Sequence, residues 1–152
     1  MANSVFNAEL FMQQEYESET STKLILPPAD DYQAVIDSLL ARQTTTKEGE
    51  LFTYFNVAWE LTDQKAKDAC KRDKVLCYQM VPVDLTDSGS IDMSEGKSIQ
   101  LGRVRDAVGQ NKSTRWSPTQ LKGAYATVKV THSLDKRDNE TMNANVVKVT
   151  KL

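Results

Sequence analysis

The chain has 152 residues, of which 39% are hydrophobic and 26% charged, and its formal net charge is −2. This composition is ordinary for one globular domain, and the chain is long enough to bury a core without disulfide or metal staples. No apolar run approaches the roughly 18 residues that a membrane-spanning helix requires, and no signal peptide is recognisable, so we expect a cytoplasmic protein without membrane contact.

Residue types that carry catalytic or metal chemistry are sparse. Cys70 and Cys77 lie seven positions apart without CxxC spacing or a nearby histidine, so we expect two reduced thiols and no zinc site. The sole histidine, His132, has no catalytic companion in the sequence, and neither a phosphate loop nor a nucleophile elbow is present. The stretch 84–95 matches calcium-loop spacing only weakly. We therefore predict a non-catalytic protein without cofactor or metal.

The charges are distributed unevenly along the chain. Residues 1–31 carry a formal charge of −5 and residues 32–96 carry −4, whereas residues 97–152 hold four acids and eleven bases, a charge of +7. A basic C-terminal third is typical of a surface that binds a polyanion, although the same charges could simply be solvated.

Residues 1–23 are predicted to form an acidic, flexible N-terminal arm. An apolar cluster at Val5, Phe6, Leu10, Phe11 and Met12 precedes the polar, acidic run 13–22. The apolar cluster could dock on the domain or on a neighbouring subunit. The folded domain is predicted to occupy residues 24–152.

Two strands joined by a turn are predicted to open this domain. The first covers residues 32–42, with Tyr32, Ala34, Ile36 and Leu40 on its buried side. The turn 44–49 leads into a second strand that ends at residue 61.

The second strand alternates with a period of two, and its two faces differ. The odd positions, Trp59 among them, form the buried face, while Asn56 and Glu60 mark the even face as polar. Phe52 and Tyr54 also lie on this polar face. Two aromatic rings at i and i+2 form a platform on which a planar ligand can stack. The alternative is that a terminus, a loop or a second subunit covers them.

The rest of the chain contains one further strand, a helix and a closing hairpin. A charged surface helical turn at 63–73 leads to a third strand at 74–85, which Pro82 should bend or confine to an edge. An amphipathic helix is predicted at 98–108 and a single turn at 117–121. Two strands follow at 125–132 and 145–152.

This order of elements predicts a mainly β protein. Three strands, a short helix and two strands make a five-stranded barrel like the oligonucleotide/oligosaccharide-binding (OB) fold, with the helix between strands 3 and 4. Such barrels bind ligands across strands 2 and 3, between the loop joining strands 1 and 2 and the loop joining strands 4 and 5.

Several segments of this sequence resemble a bacteriophage protein family. They are Leu26–Asp37, the strand end Val57–Leu61, Leu101–Gly109, Leu121–Val130 and Asn145–Lys148. The family comprises small proteins from phage replication and recombination gene clusters that are described as single-stranded DNA-binding and have an OB fold. The resemblance implies the same fold, single-stranded DNA as ligand, and replication or recombination proteins as possible partners.

The candidate DNA-binding residues divide into two groups. Base stacking is predicted for Phe52, Tyr54, Tyr78 and Trp116, although Tyr78 and Trp116 fit the core as well. Phosphate contact is predicted for the following bases: Lys47, Lys74, Arg103, Arg115, Lys129, Lys136 and Arg137. The alternative function is a phage structural or protein-interaction module built on the same barrel, and homo-oligomerisation is compatible with either.

Overall fold

The computed structural model describes residues 5–112 and 115–152, so the first four residues of the predicted arm lie outside the described part. The strands are β1 (Asp30–Thr45), β2 (Leu51–Leu61), β3 (Leu76–Val83), β4 (Tyr125–Leu134) and β5 (Met142–Thr150). The helices are α1 (Ala8–Gln13), α2 (Gln64–Cys70) and α3 (Ile99–Ala107), and a 3-10 turn covers Pro118–Leu121. None of the helices in the described ranges is both long enough and apolar enough to cross a membrane.

The five strands form a closed barrel in the order β1-β2-β3-β5-β4, which returns to β1. All strand pairs are antiparallel except β3 and β5, which meet in parallel at Tyr78 and Asn145. Helix α3 lies between β3 and β4 in the chain and packs against β3 and β5. The prediction of an OB-fold-like barrel with a short helix between strands 3 and 4 is confirmed.

The barrel core is built on the odd positions of β2 from Phe55 onward, as the alternation predicts, whereas Leu51 at the start of the strand is 70% exposed and does not belong to the buried face. Val57, Trp59 and Leu61 are 0–1% exposed. Trp59 carries a polar N–H into this interior, and its Nε1 donates a hydrogen bond of 2.9 Å to Oε1 of the buried Gln79 on β3. This bond satisfies a donor that would otherwise cost about 1–3 kcal/mol to bury.

A β-bulge in β1 overturns one prediction for the first strand. Ala34 and Ile36 pair with Leu61 and Trp59 and point inward, but the register shifts between Ile36 and Ser38. Beyond the shift the even positions point outward, so Leu40 is 56% exposed instead of sharing the buried face of Ile36. The assignment of Leu40 to the core was wrong because a strict period of two cannot anticipate a bulge.

Helix α2 corresponds to the charged surface turn predicted at 63–73, but one side of this helix is buried. Ala66 and Cys70 are four positions apart, so they share one side of the helix, and they are 0% and 3% exposed within the core. Two small residues gave too weak an apolar stripe to recognise in a charged sequence.

The arm contains one short helix that the sequence did not predict. Asn7 caps α1, with its side-chain oxygen accepting from the backbone N–H groups of Glu9 and Leu10. Every residue from 5 to 25 is exposed, including the apolar cluster.

The bulge generates a prediction about stability. Ile36→Ala should lower the free energy of unfolding by about 2–4 kcal/mol, because it opens a cavity in the core. Leu40→Ala should cost less than about 1 kcal/mol, because an exposed side chain loses little on truncation. Chemical denaturation of the two variants measures both effects. Equal losses would contradict the outward placement of Leu40.

Candidate nucleic-acid interface

The outward side of β1, β2 and β3 forms one continuous surface, which we call the strand face. In an antiparallel sheet, residues paired across two strands point to the same side. The register pairs Tyr54 with Arg42 on β1 and with Pro82 on β3, and it pairs Asn56 with Leu40 and Met80. The strand face therefore contains Leu40, Arg42 and Thr44 of β1, Phe52, Tyr54 and Asn56 of β2, and Tyr78, Met80 and Pro82 of β3.

Phe52 and Tyr54 form an aromatic pair on this face. Their ring centroids are 5.4 Å apart and their planes are inclined by 31°. Both side chains are half-buried, so each ring keeps some contact with solvent. Arg42 lies opposite Tyr54 in the register, on the same outward side of the sheet, and is exposed. A planar base stacked here would have an aromatic surface below it and a cation at its edge.

Apolar side chains continue the face around the rings. Leu40, Met80 and Tyr78 are 56%, 57% and 48% exposed. Tyr78 therefore lies at the surface and not in the core, at the position where β3 meets β5. A cluster of exposed large apolar residues on one surface is typical of a ligand-binding or protein-binding site.

A groove of about 840 Å³ begins at the Tyr78 end of the strand face. Its floor includes Asn56 and Tyr78, one wall is the segment 22–27, and the other is residues 140–145 at the start of β5. Lys23 and Arg72 add positive charge to it, and Glu140 adds one negative charge. A groove continuous with an aromatic platform is a suitable path for an extended strand of nucleotides.

The wall formed by residues 22–27 is held by bonds from three sides. Arg72 Nη2 donates to the Ile25 carbonyl at 2.9 Å, and His132 Nε2 lies 2.7 Å from the Pro27 carbonyl oxygen. The Tyr32 hydroxyl donates to the Pro28 carbonyl at 2.6 Å, and burial raises the pKa of Tyr32, so this donor stays protonated. The groove is therefore preformed at the base of the arm.

The predicted phosphate contacts differ in how available they are. Lys47 lies in the β1–β2 turn and Lys136 in the β4–β5 loop; both are exposed, and neither takes part in an ion pair within the described ranges. Lys74 Nζ instead lies 2.9 Å from Asp37 Oδ1, a hydrogen bond that raises the pKa of Lys74. Arg137 contacts Asp135 through Nη2 at 2.8 Å and Nε at 3.1 Å.

Four of the predicted residues lie away from the strand face. Arg103 is on α3, and Trp116 packs beneath Arg105 in a separate cavity beside that helix. Arg115 is exposed in the connection between α3 and β4, and Lys129 points outward from β4 opposite Lys148. The structure thus does not bring all eleven candidates together, because sequence alone placed them by charge and ring type.

Arg42, Leu40 and Met80 are the strand-face residues that sequence analysis missed. The cross-strand register supplies the signal, since Arg42 pairs with Tyr54 and both Leu40 and Met80 pair with Asn56. The predicted alternation of β1 did not include the bulge, so it assigned even positions such as Leu40 to the core. Counting back from the turn at Gly49, whose φ is +84°, would have given the correct register for this end of β1.

Comparison with known proteins does not assign the chain to a family. No protein-family model matches the chain, and no curated protein matches it significantly in sequence.

The Asp135–Arg137 contact generates a prediction about protonation. Hydrogen bonds from Arg137 hold the pKa of Asp135 well below its usual value of 3.8. The ionic contact is therefore intact above that value and is lost only as the pH falls through the depressed pKa of the folded state. Arg137→Gln should raise the pKa of Asp135 towards its usual value, measured by carboxyl NMR titration. Lys136→Gln is the control and should leave it unchanged; an unchanged pKa in Arg137→Gln would contradict the contact.

Proposed function

We propose that this protein is a non-catalytic, sequence-tolerant binder of single-stranded DNA. The observation that carries the proposal is the Phe52–Tyr54 pair on the outward side of the barrel, with Arg42 beside it. OB folds use this surface, between the β1–β2 and β4–β5 loops, for oligonucleotides. The resemblance of the sequence to phage single-stranded DNA-binding proteins supports the same conclusion.

Base stacking supplies the preference for single strands. Each base stacked on an aromatic side chain contributes on the order of 1–3 kcal/mol, and every base offers such a face. The bases of a duplex are already stacked on each other and cannot reach Phe52 or Tyr54 without unpairing. Stacking does not distinguish one base from another, which favours tolerance of sequence over readout of it.

Phosphate neutralisation supplies the rest of the affinity. Arg42 on the face, Lys47 in one flanking loop and Lys136 in the other can each approach the backbone of a strand that crosses the rings. Lys23 and Arg72 extend this positive charge into the groove. Arg137 contributes less than its charge suggests, because Asp135 already engages its guanidinium.

The cellular role follows from this chemistry and from the resemblance. A protein that covers single strands without cutting or copying them protects DNA during phage replication and recombination. It would act in the cytoplasm of the host cell, alone or as a homo-oligomer, alongside replication or recombination proteins.

The aromatic pair is tested by a double substitution. Phe52→Ala with Tyr54→Ala should weaken oligo-dT binding by at least about tenfold, because two stacking contacts are lost. Fluorescence anisotropy with labelled oligo-dT measures the affinity. The control is Tyr125→Ala, which removes an exposed tyrosine from β4, outside the strand face. A double variant that folds normally and binds oligo-dT as tightly as the parent protein would contradict the proposal.

The flanking lysines are tested by the salt dependence of binding. Counterion release gives a slope of about −0.7 per neutralised phosphate for single strands. Lys47→Gln with Lys136→Gln should therefore make the slope shallower by about 1.4. Lys129→Gln with Lys148→Gln removes a matched pair of charges from β4 and β5 and should leave the slope unchanged. The reverse pattern would place the DNA on the β4–β5 surface.

A second candidate function is a phage structural or protein-interaction module, favoured by the exposed apolar cluster of the arm. Val5, Phe6, Leu10, Phe11 and Met12 are 55–92% exposed, and the rings of Phe6 and Phe11 lie 5.2 Å apart. The absence of any salt-dependent DNA binding would favour this function over the first.

A further inference from the structure

A second cavity lies beside α3 and is separate from the strand face and its groove. Its volume is about 810 Å³. Lys97, Ser98 and Ile99 line it from the N-terminal end of α3, and Arg103, Arg105 and Trp116 line it from the helix side and from the following connection. Nothing in the proposed DNA-binding function uses this cavity.

Arg105 is a buried cation in this cavity, and no carboxylate among the residues that the structure describes forms an ion pair with it. Only 8% of the residue is exposed, and its guanidinium carbon lies 4.0 Å from the ring centroid of Trp116. Nη2 donates to the Gln110 carbonyl at 2.9 Å. Nη1 faces only the sulfur of Met93 at 3.9 Å, and Nε has no hydrogen-bond partner within the described ranges. Burial lowers the pKa of Arg105, which reflects the cost of holding this charge away from water.

The surroundings of Arg105 leave room for an anion. A buried charge is costly unless it is paired, and a thioether sulfur is a weak acceptor. Met93 is 55% exposed, and its unbranched side chain can move away from Nη1 without disturbing the core. A guanidinium is planar, so one that is held over an indole presents its remaining N–H groups in a fixed plane, which suits an oxyanion.

The N-terminal end of α3 opens onto the same cavity without a side-chain cap. The side chain of its N-cap residue, Ser98, makes no capping hydrogen bond, and the backbone there is left-handed. The Ser98 backbone N–H itself donates to Asp84 Oδ2 at 2.8 Å, which leaves the first-turn N–H groups after it for an anion. The Ser98 hydroxyl is engaged elsewhere, because it accepts a 3.0 Å bond from the Asp84 backbone N–H. The first-turn N–H groups of a helix carry partial positive charge and favour an anion.

We propose that this cavity, lined by both the buried Arg105 guanidinium and the uncapped N-terminus of α3, binds a phosphoryl group. A tetrahedral phosphoryl group has several acceptor oxygens, and both sets of donors line the same cavity. Lys97 and Arg103 add two positive charges, against Glu95 and Asp106 on the same lining. The source is either a free phosphate monoester or the backbone of a nucleic acid, and the inference stands independently of the strand face.

The test is a titration of the full chain followed by amide and arginine side-chain NMR signals. Three probes are added at constant ionic strength set with chloride: inorganic phosphate, thymidine 5′-monophosphate, and oligo-dT with a 5′-hydroxyl. Saturable shifts of the Ile99 and Gln100 amides and of the Arg105 Nε–H are expected. Shifts with phosphate and the monophosphate alone identify a monoester site. Shifts with oligo-dT as well identify a backbone site.

Variants separate binding from loss of structure. Arg105→Met should weaken phosphate binding by at least about tenfold, since it removes charge-assisted hydrogen bonds. Arg103→Gln keeps the packing of Trp116 and should weaken binding about two- to fivefold, while Glu95→Gln should strengthen it by a similar factor. Arg115→Gln, an exposed arginine that does not line the cavity, is the matched control and should have no effect.

Two results would overturn the proposal. One is the absence of saturable shifts at Ile99, Gln100 and Arg105 with all three probes. The other is equal phosphate affinity in the parent protein, Arg103→Gln and Glu95→Gln, which would mean that the shifts do not come from an anion held among these charges. Loss of the strand-face rings leaves the phosphate titration unchanged, so this proposal and the DNA-binding proposal fail separately.

Discussion

The bulge in β1 is the constraint on which the rest of the structure depends. Before it, Ala34 and Ile36 point into the barrel; after it, the same parity carries Leu40 and Arg42 to the outside. A 16-residue strand can thereby line the core while pairing with β4 at one end and β2 at the other. The same register shift places Arg42 opposite Tyr54 on the outward side of the sheet.

The two faces of β2 connect stability with function. Inside, Trp59 is fixed by packing and by its bond to Gln79, so the strand has little freedom to twist or slip. On the outside, Phe52 and Tyr54 are carried by the same strand, so the backbone that positions their rings is also held in place. A ligand that stacks on them meets rings that are already positioned, and the loss of conformational freedom on binding is correspondingly small.

Sequence alone was sufficient where a feature depends on local alternation. The outward parity of Phe52 and Tyr54, the burial of Trp59, the five strands and helix α3 all followed from the local sequence pattern. Features that depend on distant contacts could not be predicted. The partnership of Lys74 with Asp37 spans two elements, and the burial of Ala66 and Cys70 depends on where α2 docks.

The hardest property to predict was which basic side chains are free to contact a ligand, because the total charge does not show which of them already have partners within the protein. The basic C-terminal third suggested one polyanion-binding face, yet its arginines serve different local purposes. Arg137 engages Asp135 in its own loop, and Arg105 packs on Trp116 beside α3. Neither contact leaves a signal in composition, because each depends on a side-chain orientation that only the folded chain defines.

The central claim is tested most directly by fluorescence anisotropy with labelled oligo-dT and with a duplex of the same length, each measured across a range of salt concentrations. We expect tight, strongly salt-dependent binding to the single strand and much weaker binding to the duplex, because only unpaired bases can stack on Phe52 and Tyr54. Equal affinity for both DNAs, or no binding to the single strand even at low salt, would contradict it.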